Sequence, residues 1–189
     1  MHVAEKLYLS GYITYPRTES TSYPDKFDFE SVVKALTSVK ELESISKNLL
    51  SLGINKPKKG VDVGDHPPIT PTNKVFSKGS SGSDEWRLYD FICRHFLATI
   101  SYDAKYIKKN VLFKADKQEF ELNGVKVTSR GFTDILVGMK ISDAIIPDFV
   151  VGEKHPLTRV DVKQGEVMAT HEFSRIILTI TTCSLDYPS

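Results

Sequence analysis

The period of the apolar residues changes once along this chain, near Ser101-Tyr102, and the change limits the folds open to it. Before it, apolar side chains recur at threes and fours, the spacing of one helix face; after it they alternate, the spacing of a half-buried strand. Residues 3–10 read as the end of a helix with Val3, Leu7 and Tyr8 on one side and Gly11 as the stop. From Asp28 to Leu52, Val32, Val33, Leu36, Val39, Leu42, Ile45, Leu49 and Leu50 predict an amphipathic helix, broken into two near Ser38-Lys40 and ended by Gly53. Ser83 offers an N-cap, and Asp84 and Glu85 offer acids for the positive end of a further helix through Trp86, Tyr89, Ile92, Cys93, Phe96, Leu97 and Ile100. That stripe places Cys93 in a core and Arg94 and His95 on the flanks. Beyond Tyr102, residues 106–113 predict a strand. Phe120 and Leu122 before Asn123-Gly124, and Val125 and Val127 after it, predict a hairpin turning on that dipeptide. Further strands are expected at 132–137, 148–151 and 157–163. The fold class is mixed α and β, helical first and β-rich second, with no internal repeat.

Three loops separate these elements. Asn55-Lys56-Pro57-Lys58-Lys59-Gly60 is a basic loop that reads first as solvated surface. Gly64-Asp65-His66-Pro67-Pro68-Ile69-Thr70-Pro71-Thr72 is too rich in proline for a helix or a central strand. Lys78-Gly79-Ser80-Ser81-Gly82 reads as a flexible turn.

Composition narrows the function classes. The 189 residues carry 25 Lys and Arg against 24 Asp and Glu, a formal net charge of +1, so no overall field draws the chain to nucleic acid. A nucleic-acid site would have to be a local patch. Cys93 and Cys183 form no CxxC pair, which supports neither a zinc site nor a disulfide framework. No apolar run is long enough to span a bilayer, and the N-terminus lacks a signal-peptide pattern. A soluble intracellular protein with reduced thiols, away from membranes, is the expectation.

The chemistry concentrates in Gly11-Tyr12-Ile13-Thr14-Tyr15-Pro16-Arg17-Thr18-Glu19-Ser20. A phenol releases its proton only near pH ~10, so a tyrosine nucleophile needs a partner that stabilises its oxyanion. A guanidinium two residues away can hold two phosphate oxygens in a planar fork, which a lysine cannot do. Pro16 fixes its own φ and biases Thr14-Tyr15 toward extended geometry, so the phenol would project from a stiff turn. Tyrosines are mostly half-buried packing residues, and the chain has 8, so Tyr-Pro-Arg alone is a weak signal.

The longer pattern is specific. From Glu5-Lys6-Leu7-Tyr8 through Ile13-Thr14-Tyr15-Pro16-Arg17-Thr18-Glu19 the chain closely resembles the active-site motif of type IA DNA topoisomerases. Gly64-Asp65-His66-Pro67-Pro68-Ile69-Thr70-Pro71 resembles the second active-site segment of that family, in a form similar to the topoisomerase III branch and most of all its eukaryotic beta form. Leu88-Tyr89-Asp90-Phe91-Ile92-Cys93-Arg94-His95-Phe96 resembles the helix that follows there, and Ser129-Arg130-Gly131-Phe132-Thr133 the strand pair beyond. The resemblance covers about residues 3–166. Leu9 departs from it, standing where the family more often has a polar residue.

The resemblance implies that Tyr15 attacks one strand and becomes linked to a 5′-phosphate, that Arg17 positions the scissile phosphate, and that His66 contacts phosphates of the bound strand. Taken by itself, His66 would more often be a loop or capping histidine. Strand rejoining reverses the linkage, so no ATP is consumed. The implied architecture is a helical, winged-helix-like domain over 1–102 carrying the tyrosine, then part of a β-rich arch over 103–166. The tail over 167–189 diverges, with Ile176-Ile177-Leu178-Thr179-Ile180 reading as a sticky strand, and suggests a truncated or mis-spliced product, with a real isoform carrying a new terminus as the lesser alternative. The implied partners are single-stranded DNA, RNA as an alternative, and helicase or scaffold proteins, in the nucleus or also the cytoplasm. Mg2+ would be held by the acidic cluster of a Toprim domain, for which this sequence contains no matching motif before Tyr15. The isolated chain is therefore expected to be inactive in relaxing supercoiled DNA. The competing reading is a non-catalytic single-stranded nucleic-acid-binding module that uses Arg17 and His66 only as phosphate contacts. A tyrosine recombinase or type IB enzyme fits less well, since such enzymes gather arginines and a histidine from upstream, whereas His66 lies downstream.

Overall fold

The computed structural model describes residues 2–76, 83–139, 141–156, 162–164 and 178–180. The expected turn at 78–82, Cys183, the expected strand over 157–161 and most of the tail lie outside the described residues. The chain divides into two compact units, Met1–Ile146 and Pro147–Ser189.

The first unit holds four helices, α1 (His2–Leu9), α2 (Phe29–Leu36), α3 (Glu43–Leu52) and α4 (Asp84–Thr99), and then a two-stranded antiparallel sheet of β1 (Lys105–Ala115) and β2 (Gln118–Ser129). The class is mixed α and β, as the period change predicts. Each helix end has a local cause. Gly11, at φ 77, closes α1 with bonds from its own N–H to Tyr8 O (2.7 Å) and from Tyr12 N–H to Leu7 O (3.0 Å), a Schellman pattern that a left-handed glycine permits. The Asp28 side chain caps α2 by accepting from Ser31 N–H, and Ser83 caps α4 by accepting from Trp86 N–H. The break between α2 and α3 buries Val39 and Leu42, so it is packed rather than frayed, and α3 stops at Gly53, φ 94.

The core of this unit joins Leu7 and Ile13 to Val32, Val33 and Leu36 of α2, Leu49 of α3 and the Trp86–Tyr89–Cys93–Phe96–Leu97 stripe of α4. Leu36, Tyr89, Cys93 and Leu97 are fully buried, and each such side chain contributes roughly 1.5–3 kcal/mol for leaving water. Cys93 is thus a core residue, and burial pushes its thiol up to about 12. His95 is exposed, and Arg94 bonds Asp90 one turn earlier at 2.8 Å.

The hairpin exists, but its turn is not at Asn123-Gly124. Past a bulge next to Lys105↔Ser129, the strands keep one register from Tyr106↔Val127 to Ala115↔Gln118, so the two-residue turn is Asp116-Lys117, with Asp116 at φ 52. Gly124 lies inside β2, where a Cβ would come within 2.6 Å of Ile146 Cγ1 and 3.1 Å of Ala144 O. The glycine admits a neighbouring segment, bridged by Val125 N–H to Ala144 O and Ala144 N–H to Val125 O, both 2.8 Å. Where a strand was expected at 132–137, two 3₁₀ turns occur, Gly131–Asp134 and Val137–Met139. The first is set by Gly131 at φ 50 and by Phe132 N–H bonding Tyr102 O, which tie it to the end of α4 instead of to a sheet.

In the second unit, 148–151 is irregular and ends in a turn at Gly152 (φ 86), with Glu153 N–H bonding Val150 O, rather than forming the expected strand. Val162–Gln164, of the stretch expected as a strand, forms β3 and pairs antiparallel with β4 (Leu178–Ile180).

Candidate functional site

Gly11 turns the chain out of α1 into the tyrosine run, which then docks on the proline-rich segment. Thr14 N–H bonds Thr70 O (2.9 Å) and Thr72 N–H bonds Tyr12 O (3.0 Å), flanking an antiparallel bridge of Ile13 with Pro71. Pro71 faces Ile13 at a non-bonded position of this short ladder, so its missing N–H is not needed there. The Thr14 hydroxyl donates to Pro68 O (3.0 Å) and accepts from Thr70 N–H (2.9 Å). Ile13 is buried, and Tyr15, two residues on, is half-exposed.

A second set of bonds fixes the next turn of each segment. Thr18 Oγ1 donates to His66 O at 2.6 Å, and Ser20 Oγ donates to Asp65 Oδ1 at 2.8 Å while accepting from Val63 N–H at 3.2 Å. Glu19 N–H bonds Asp65 Oδ2 at 3.2 Å. These donors, Ser20 Oγ first and then the His66 and Glu19 amides and the Thr18 hydroxyl, hold the Asp65 carboxyl at about 2, below the ordinary aspartate range. Further along, Thr21 N–H bonds Val61 O (2.8 Å), and Gly60, φ 133, lies where a Cβ would come within 2.6 Å of Thr21 O.

The two segments together line an open cavity of about 690 Å³, whose wall includes Tyr15, Pro16, Arg17, Asp65, His66 and Ile69. The three residues singled out from the sequence meet there. The His66 ring lies 4.5 Å from the Tyr15 ring, centroid to centroid and tilted at 48°, and the Tyr8 ring meets Tyr15 edge-on at 5.2 Å. The Tyr15 hydroxyl has no hydrogen-bond partner among the described residues. Arg17 is mostly exposed and only loosely paired, its Nη2 3.8 Å from Glu5 Oε1, so its guanidinium can turn to a phosphate without breaking a tight bond. The cavity thus sets an unencumbered phenol beside one guanidinium and one imidazole, a set suited to gripping a phosphodiester.

Sequence reading missed the residues that hold this set: Thr14, Thr18, Ser20 and Asp65. The only signal for them was their place inside the two matched segments. Among the described residues no three His, Cys, Asp or Glu side chains gather as a metal-holding group, and the Asp65 oxygens are already taken by Ser20 and Glu19. The residues described do not fit a Mg2+ site. No helix among them is long and apolar enough to cross a membrane.

A family model of DNA topoisomerases matches residues 1–178, running past the point near Gly165-Glu166 where the motifs fade. The chain belongs to the type IA DNA topoisomerase family. Within the family it stands near the topoisomerase III beta branch. It is 42% identical to the DNA topoisomerase 3-beta of Oryza sativa subsp. japonica over 165 residues, 87% of this chain and 19% of that protein. It is 40% identical to the DNA topoisomerase 3-beta-1 of Homo sapiens over 167 residues, 88% of this chain and 19% of that protein. A more distant relative, the DNA topoisomerase 1 of Archaeoglobus fulgidus, is 32% identical over 175 residues, 92% of this chain and 26% of that protein. The chain therefore spans about a fifth of the length of the topoisomerase 3-beta proteins it matches.

Proposed function

We propose that this chain is the nucleophile-bearing segment of a type IA topoisomerase, cleaving and rejoining single strands through a transient 5′-phosphotyrosine at Tyr15. The observation that carries this reading is the convergence of Tyr15, Arg17 and His66 on one open cavity. In the cleaving step the Tyr15 hydroxyl gives its proton to water as its oxygen attacks phosphorus, the bond from phosphorus to the 3′-oxygen breaks, and that oxygen leaves as a hydroxyl after taking a proton. Arg17 grips the non-bridging oxygens as charge builds on them, and His66 anchors the strand beside the phenol. Rejoining is the same path reversed, with the bond energy kept in the phosphotyrosine, so ATP is not needed.

Type IA enzymes generally use Mg2+ through a Toprim domain, which in this reading also supplies the acid for the leaving oxygen. Residues 1–102 would be the mobile, winged-helix-like tyrosine domain and 103–166 the entrance to the β-rich arch. A nuclear location and a helicase or scaffold partner complete the proposal.

The test is trapping. The chain is mixed with a separately produced Toprim domain, Mg2+ and a single-stranded oligonucleotide labelled at its 3′ end, then denatured. A labelled protein band that disappears with Tyr15→Phe is the expected result. Binding without any covalent band under these conditions would overturn the catalytic assignment in favour of a binding module. Running the assay with DNA and RNA oligonucleotides in parallel separates the two substrates.

A further inference from the structure

Asp65 is the one carboxylate in the cavity wall whose oxygens are both tied to the tyrosine segment, and its position is awkward for a phosphate site. By charge alone it should repel the ligand that Arg17 and His66 attract. Its bonds point to another role. One oxygen accepts from the buried Ser20 hydroxyl at 2.8 Å and stands 3.3 Å from Thr18 Oγ1; the other accepts from Glu19 N–H at 3.2 Å. Thr18 in turn grips the backbone carbonyl of His66, the residue after Asp65. The pair Asp65-His66 is thereby clamped at two successive residues onto Thr18, Glu19 and Ser20, the three residues that follow Arg17. The chain joining the two halves of the clamp is more than forty residues long, as 45 positions separate Ser20 from Asp65, so nothing local sets their spacing.

We propose that Asp65 is a positioning residue that fixes the His66 imidazole against Tyr15 and next to Arg17, and that its loss weakens phosphate binding although it removes a negative charge from the site. The inference rests on the functional reading above only in its choice of ligand. Positioning and repulsion predict opposite signs for one substitution, which makes the question decidable.

Three forms of the full 189-residue chain are compared: the unaltered chain, Asp65→Ala and Asp65→Asn. Affinity for a fluorescent single-stranded oligodeoxynucleotide, exchange of the Glu19 amide and the imidazole resonances of His66 are measured together. Asp65 is exposed and outside the core, so the fold should persist, with the thermal midpoint lowered only by the bonds lost to Ser20 and Glu19. The expected result for Asp65→Ala is affinity lower by about tenfold, the scale of one lost charge-assisted bond, with faster Glu19 exchange and a shifted His66 signal. Asp65→Asn keeps an oxygen for Ser20 Oγ but offers Glu19 N–H a donor, so it should recover the His66 signal and most of the affinity while Glu19 exchange stays fast.

Tighter or equal binding by Asp65→Ala, with Glu19 exchange and His66 resonances unchanged, would overturn the inference and leave Asp65 as a bystander charge. Should the unaltered chain fail to bind the oligonucleotide, the functional reading fails, and the Glu19 and His66 readouts still decide the positioning role.

Discussion

The Thr14 hydroxyl uses its proton and a lone pair at once, donating to Pro68 O and accepting from Thr70 N–H. A methyl in its place would leave a part-buried N–H and carbonyl without partners, a loss of about 1–3 kcal/mol. Thr14→Val, nearly the same shape, should therefore lower stability by about that amount in urea unfolding, while Thr14→Ser, which keeps the hydroxyl, should cost only a few tenths. Equal stability for the Val and Ser forms would show that the two segments are held by the backbone ladder alone. Tyr15, Arg17 and His66 could be singled out because each sits in a long matched run, and the structure sets all three on one cavity wall. Thr14, Ser20 and Asp65 could not, because their partners stand 54 and 56 positions away for Thr14 and 45 for the Ser20–Asp65 pair. A hydroxyl that clamps two distant segments looks, in sequence, like any loop threonine or serine.

The helices read true because their stop and start signals act locally: Gly11 and Gly53 close, Asp28 and Ser83 open, and the apolar stripes between them face one core. The hairpin shows where such reasoning fails. Asn-Gly is a strong turn signal, yet Asp116-Lys117 turns and Gly124 is the buried position of β2. What decides it is the approach of Ala144 and Ile146, about twenty residues further on, which no dipeptide rule contains. Gly124→Val should then force Ile146 aside and cost about 1–3 kcal/mol, as overpacking does. The amides of Val125 and Ala144, whose mutual bonds hold that segment, should lose protection in hydrogen exchange. Asn123→Ala, at the exposed neighbouring position, should be close to neutral. If both substitutions were equally damaging, the dipeptide would be acting as a turn after all.

At the scale of the whole molecule, pH acts through the core, and the proposed strand would be met at the surface. Burial raises the phenols of Tyr23 and Tyr89 and lifts Cys93 to about 12 from an ordinary 9.0. These groups stay protonated in the folded chain at pH values where the unfolded chain has begun to release protons. Unfolding is then accompanied by proton loss, so stability is intact below pH 9.0 and falls as pH rises from there toward 12. Urea midpoints measured through that window should decline, and Cys93→Ala should make the first part of the decline shallower. At the surface, a net charge of +1 means that any affinity for a single strand would come from a few local contacts. Each neutralised phosphate contributes roughly −0.7 to the slope of log K against log salt for single strands. With Arg17 as the permanently charged contact, the slope should be about −0.7. Lys56, Lys58 and Lys59 lie in the loop that runs into Gly60 and the docked segment after it, and they are exposed. Were they to track the same strand, the slope would steepen to about −2.8, and the basic loop would join the binding surface.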